Sequence, residues 1–131
     1  MLKKKIPKEP PPLLVNAVNS TRKMLMHRGY YIKEVITASD FEIDLIAIRE
    51  GLIHSDRLRM RLVLHDAKSG LGLESVKRFF QEQARVFGIE GILISLTPIS
   101  KQAKKMIEKY GLNVFGPDWL KENSDFDPNE K

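Results

Sequence analysis

Apolar positions along the chain follow two rhythms, one helical and one extended. Leu14, Ala17, Val18, Met24 and Leu25 recur at helical spacing and predict a helix over Leu13–Arg28. Arg22, Lys23, His27 and Arg28 lie elsewhere on its wheel, and Gly29 is a plausible stop. Tyr30–Ile36 is β-branched and aromatic with partial alternation, which predicts a strand, and Thr37–Asp40 reads as a turn. Two more strands follow, Glu42–Arg49 and Leu58–His65, separated by Glu50-Gly51 and a loop or wide hairpin end over Leu52–Arg57. In the third strand Leu58, Met60 and Leu62 point one way, and Arg59, Arg61 and Val63 the other. The two arginines therefore share a face, read here as an outer one.

Val76, Phe79, Phe80, Ala84 and Phe87 make an apolar stripe on a helix over Leu73–Phe87, stopped by Gly88. Gly91–Leu96 is almost wholly apolar, as a strand covered on both faces should be. Thr97-Pro98 predicts a threonine cap and an N1 proline for a helix over Ile99–Tyr110. Ala103, Met106 and Ile107 face inward on it; Lys101, Lys104, Lys105 and Lys109 face out. Leu112–Phe115 is a short strand. Trp119–Glu122 is a helical turn whose tryptophan closes one end of the domain. The order α-β-β-β-α-β-α-β predicts an α/β fold. Three antiparallel strands extend, through two helical crossovers, into a mixed sheet flanked by helices. One domain spans 13–122, between a basic, proline-rich flexible tail (1–12) and an acidic polar tail (123–131).

Composition narrows the function classes. The 131 residues are 42% apolar and 30% charged, enough for a core, and the formal charge of +5 suits a nucleic-acid partner. With no cysteine, disulfides and thiolate chemistry are excluded. No apolar run approaches the ~20 residues of a membrane span, and Lys3-Lys4-Lys5 leads into Ile6-Pro7 rather than an apolar stretch. A protein inside the cell, away from membranes, is expected. No glycine spacing fits a phosphate-cradling loop.

One carboxylate stands out. Asp44 sits within Ile43-Asp44-Leu45-Ile46-Ala47-Ile48, where burial without a partner would be costly. Asp66 and Lys68 lie two apart at the end of the next strand and share a face; His65 faces the other way and reads as structural. Lys68, or a metal held with Asp66, is the partner these residues offer. Phe79, Phe80 and Phe87 read as core.

On these residues the chain resembles the PD-(D/E)xK superfamily, the restriction-endonuclease-like nucleases. Ile43-Asp44-Leu45-Ile46-Ala47 and Asp66-Ala67-Lys68 look like the motif strands of archaeal Holliday-junction resolvases. Val76–Gly88, Ile92–Thr97, Ser100–Gly111 and Leu112–Gly116 look like the downstream half of Mrr-type restriction enzymes. The resemblance implies Mg²⁺ (or Mn²⁺) held by Asp44, Asp66 and the Ala67 carbonyl, with Lys68 beside the attacking water. Arg59, Arg61, Lys77 and Arg78 would then flank the site as phosphate contacts, joined by Lys101, Lys104 and Lys105, with DNA ahead of RNA as the ligand. The family's first-helix glutamate is absent: Asn16 and Asn19 occupy that region.

Two functions stay open. One is a Mg²⁺-dependent endonuclease of restriction, repair or resolvase type. The other is an inactive nuclease-fold module that docks on nucleic acid or on a transcription or repair complex. Arg22-Lys23, Leu25 and Arg28-Gly29-Tyr30 support the second, since they also resemble the nuclease-like jaw domain of the small subunit shared by nuclear RNA polymerases. A third resemblance, through Arg28-Gly29-Tyr30 and His54-Ser55, is to tRNA-splicing endonuclease. Nothing in the residues speaks for or against a homodimer.

Overall fold

Successive residues of an extended strand face opposite sides of a sheet, and in this chain the two sides carry unlike cores. The computed structural model describes residues 10–65 and 70–129. Its elements run α1 (Pro12–His27), β1 (Tyr31–Ser39), β2 (Glu42–Arg49), β3 (Asp56–Val63), α2 (Leu73–Gln83), β4 (Glu90–Ser95), α3 (Lys101–Tyr110), β5 (Val114–Phe115) and α4 (Pro117–Asn123). Five strands form one sheet in the order β1-β2-β3-β4-β5. The β1–β2 and β2–β3 pairs are antiparallel; β3–β4 and β4–β5 are parallel. This is the mixed, helix-flanked α/β sheet that the element order predicts.

On one face, Leu45 and Ala47 of β2 and Leu58, Met60 and Leu62 of β3 pack against Leu14, Ala17 and Leu25 of α1. On the other, Val63 and Leu93 pack against Val76 and Phe79 of α2 and Ala103 of α3. The alternation of β3 thus feeds two cores, and its arginines fall on the α2 side rather than on an outer face. At the outer edge of the sheet, β1 carries a register irregularity between Ile32 and Glu34, beside Lys33. A bulge and a charge there blunt edge-to-edge pairing.

Several boundaries differ from the sequence expectation for local reasons. β1 continues through the expected turn, because Thr37 and Ser39 pair with Ile43 and Glu42. α2 ends at Gln83, whose amide donates to the Ile89 carbonyl at 2.6 Å, and Phe87 lies in the following loop, 94% exposed, rather than in the core. α3 is capped by Ser100, whose hydroxyl accepts from the Ala103 N–H, and not by Thr97. The Pro98–Ser100 stretch is instead tied to Leu71: Leu71 N–H donates to Pro98 and Ser100 N–H donates to Leu71.

The expected acidic tail begins with a docked segment. Ser124 donates to the Leu120 carbonyl at 2.6 Å, and its hydroxyl accepts from the Phe126 N–H. Phe126 is 3% exposed within the α1-side core. The Lys23–Asp125 pair above it is solvent-exposed and adds little. Phe126→Ala is expected to lower the unfolding free energy by about 2 kcal/mol, the burial worth of the ring at a site free to peel away. A urea midpoint unchanged from wild type would show that this segment does not contribute.

Candidate functional site

The β2–β3 register sets Asp44 opposite Arg61, and Arg59, two residues earlier, shares its face. The Asp44 carboxylate is 4% exposed and accepts three hydrogen bonds. Its Oδ1 accepts from Arg61 Nε at 2.7 Å; its Oδ2 accepts from Arg61 Nη2 and from Arg59 Nε, each at 3.1 Å. Glu82, one helical turn beyond Phe79 on α2, accepts from Arg59 Nη2 at 2.7 Å and from Arg61 Nη2 at 3.1 Å. Phe79 forms the floor, with the Arg59 and Arg61 guanidinium carbons 4.6 and 5.3 Å from its ring centroid. Such cations over an aromatic face gain from the ring quadrupole.

Glu42 stands two residues before Asp44, on the same face. It accepts from Arg78 at 2.7 Å and from Ser39 at 2.9 Å. Among the described residues, three carboxylates thus meet three guanidiniums, and their charges balance. Among the described residues no buried side-chain nitrogen or oxygen lacks a partner. Burial pulls the Arg61 guanidinium down, but its hydrogen bond to Asp44 and the nearby carboxylates hold it above its ordinary value. Burial pushes the Glu82 carboxyl up, and the Arg59 hydrogen bond with the Arg61 charge more than offsets that, leaving it below the ordinary carboxylate range.

Among the described residues, the donors around Asp44 do not fit a divalent metal. Both carboxylate oxygens already hold guanidinium N–H groups, and a dication added to a balanced group would leave uncompensated positive charge in a buried place. Among the described residues, no three His, Asp or Glu side chains converge as metal ligands. Among the described residues, the partners of Asp44 are accordingly Arg61 and Arg59. The register explains the difference: the residue across from Asp44 is Arg61, five residues ahead of Asp66. Asp66, Ala67 and Lys68 themselves lie outside the described residues.

The other candidates scatter. Arg59 and Arg61, expected to reach phosphates, lie beneath α2, with side chains 12% and 6% exposed. Arg78 is half exposed but engaged by Glu42. Lys77 is exposed, 3.9 Å from Glu74. Lys101, Lys104 and Lys105 are exposed on α3. Asn16 is half-buried and Asn19 exposed on α1. The sheet stands between them and the Asp44 carboxylate, because α1 packs on the Leu45 side and Phe79 on the Asp44 side. His54 is exposed in the β2–β3 connection.

Sequence reasoning missed a cavity of about 660 Å³ at the end of β3, lined by Ser39, Phe41, Glu42, His65, Ser75 and Arg78, among others. His65 Nε2 is 3.1 Å from Ser75 Oγ. Burial lowers the His65 pKa; Glu42 pulls it the other way, and Arg78 adds to the depression. A pKa depressed by folding contributes stability above its unfolded value and loses it as the pH falls through the folded one. Stability is therefore expected to hold down to about pH 6.5, to fall below that as His65 takes a proton, and to fall again below about pH 4.3 as Glu82 does. His65→Gln should remove the first decline and keep the second in pH-dependent urea melts. An unaltered profile in that variant would reject the assignment.

No protein-family model matches the chain, and no curated protein matches its sequence. Its backbone is similar to a solved structure of the MspJI restriction endonuclease in complex with a 27-mer oligonucleotide. The TM-score is 0.52 at 15% identity, over 92% of this chain. The chain spans 34% of the length of that protein. The five-stranded mixed sheet with its flanking helices is thus a restriction-endonuclease-like fold at the level of architecture.

Proposed function

We propose that this chain is a nucleic-acid-binding module built on a nuclease-like fold, one that holds its ligand without cutting it. The observation that carries the reading is the closure of Asp44. The acid that the resemblance assigns to a metal has its oxygens engaged by Arg59 and Arg61, within a group whose charges balance among the described residues. The binding half of the reading is supported by the formal charge of +5 and by the exposed lysines of α3. Among the described residues, none of Lys101, Lys104, Lys105 and Lys109 forms an ion pair. Lysine contacts to phosphate are independent of sequence and fall with salt.

The test is fluorescence anisotropy with labelled DNA and RNA over a salt series, paired with a cleavage assay in Mg²⁺ or Mn²⁺. Binding that weakens with salt and leaves the strands intact is the expected result. With three or four lysines engaged, the slope of log affinity against log salt should be roughly −2 to −4. Metal-dependent cleavage that is lost in Asp66→Ala and Lys68→Ala would replace this reading with the Mg²⁺-dependent endonuclease, its chemistry at the end of β3 rather than at Asp44.

A further inference from the structure

We infer that the groove between α2 and α3 binds single-stranded nucleic acid, with an unstacked base on Tyr110 and phosphates on the lysines along its rims. This rests on the nucleic-acid reading above and adds to it the face and the strand state. The groove has a volume of about 350 Å³ and is lined by Lys77, Phe80, Ala84, Met106, Tyr110 and Leu112, together with Gln81. Lys77, Phe80 and Gln81 recur three and four apart and so form one face of α2, which Ala84 continues at its C-cap. Met106 and Tyr110 do the same on α3. The floor is therefore apolar and the sides are helical.

Two aromatic rings are available there. Tyr110 closes α3 and is 63% exposed. Phe80 is half-buried and oriented by Phe79, edge to face, with centroids 5.0 Å apart at 89°. The fixed ring gives the groove a firm floor, and the exposed one offers a face. Lys109 Nζ already lies 5.3 Å from the Tyr110 ring centroid, so cation and ring are adjacent. Lys105 stands one turn before Lys109, about 6 Å along the axis by helical rise. Lys77 borders the opposite side. Glu108 is the only acid on α3.

Charge and shape together name the occupant. Lysines on both rims call for a polyanion, and an apolar, aromatic floor calls for flat, unstacked rings between its charges. A single strand supplies both, whereas a duplex hides its base faces in the stack. Base–aromatic stacking is worth about 1–3 kcal/mol per base and tolerates any sequence.

Anisotropy with a labelled oligodeoxythymidine, and with a hairpin duplex of equal length, tests the groove. Tyr110 is exposed, so Tyr110→Ala should fold as wild type, which a thermal melt checks. That variant is expected to weaken single-strand binding roughly 5- to 150-fold and to leave duplex binding unchanged. Lys105→Ala with Lys109→Ala should weaken the single strand and flatten its salt dependence. Single-strand binding that is unaffected in Tyr110→Ala overturns the groove assignment while leaving the nucleic-acid reading in place. Absence of binding to either probe overturns both. Loss in Tyr110→Ala of a peptide of alternating glutamate and leucine, with the oligonucleotide still bound, overturns it in favour of a protein partner.

Discussion

Asp44→Ala is expected to lower the unfolding free energy by about 3–5 kcal/mol, the usual cost of removing one partner of a buried ion pair. Among the described residues, the variant leaves Arg61, which is 5% exposed, and Arg59 beside it with Glu82 and the more distant Glu42, which Arg78 already engages, to balance them. Against a total stability of roughly 5–15 kcal/mol for a domain of this kind, that is a large fraction. Urea denaturation measures it directly. The double variant Asp44→Leu with Arg61→Met removes both charges and should regain most of the loss, because the apolar replacements bring no desolvation cost. Arg59 and Glu82 would remain as a pair at 2.7 Å. The opposite pattern, with Asp44→Ala as stable as wild type but without a metal-dependent activity that wild type shows, would make Asp44 a functional acid and reject the structural role.

Phe79→Ala comes next, with an expected loss of about 3–5 kcal/mol for a buried ring that leaves a cavity. Phe79 is fully buried and belongs to the α2-side core, yet its face also lies under two guanidiniums. The variant should therefore lose packing and loosen the arginines above. Phe79→Leu separates the two effects. It keeps much of the apolar volume, so the part of its deficit that vanishes when Arg59 is also replaced by Met reports the cation–ring attraction, about 0.5–2 kcal/mol. Additive losses in that double variant would show that the ring acts by packing alone.

Both variants concern charges that the sequence displays openly and that the fold puts to an unexpected use. Asp44 within a run of Ile and Leu signalled a carboxylate in need of a partner, and that inference was sound. Its identity was not legible, because Arg59 and Arg61 read equally well as an exposed basic pair. The signal that could have found it is the strand's position. A strand followed by a helical crossover to a parallel neighbour is covered on both faces, so arginines alternating with Leu58, Met60 and Leu62 must point into a core and meet acids there. Glu82 and Glu42 were the acids at hand. Phe87 shows the converse error: it continued the apolar stripe of α2, but the helix ends where Gln83 turns back to the Ile89 carbonyl.

The sequence by itself determined the element order, the mixed sheet and most of the core, because periodicities of two and of 3.6 residues report local geometry and burial face. Only the tertiary structure decided the pairing of charges. That depends on strand register: sliding one strand changes every cross-strand partner, and nothing local to Asp44 distinguishes Arg61 from Lys68. Register also set Asp44 among guanidiniums, in an ion group whose charges balance among the described residues. The meeting of α2 and α3, distant in sequence, brought Lys77, Phe80 and Tyr110 to one groove, where Phe80 had read as core and Lys77 as a phosphate contact beside Asp44.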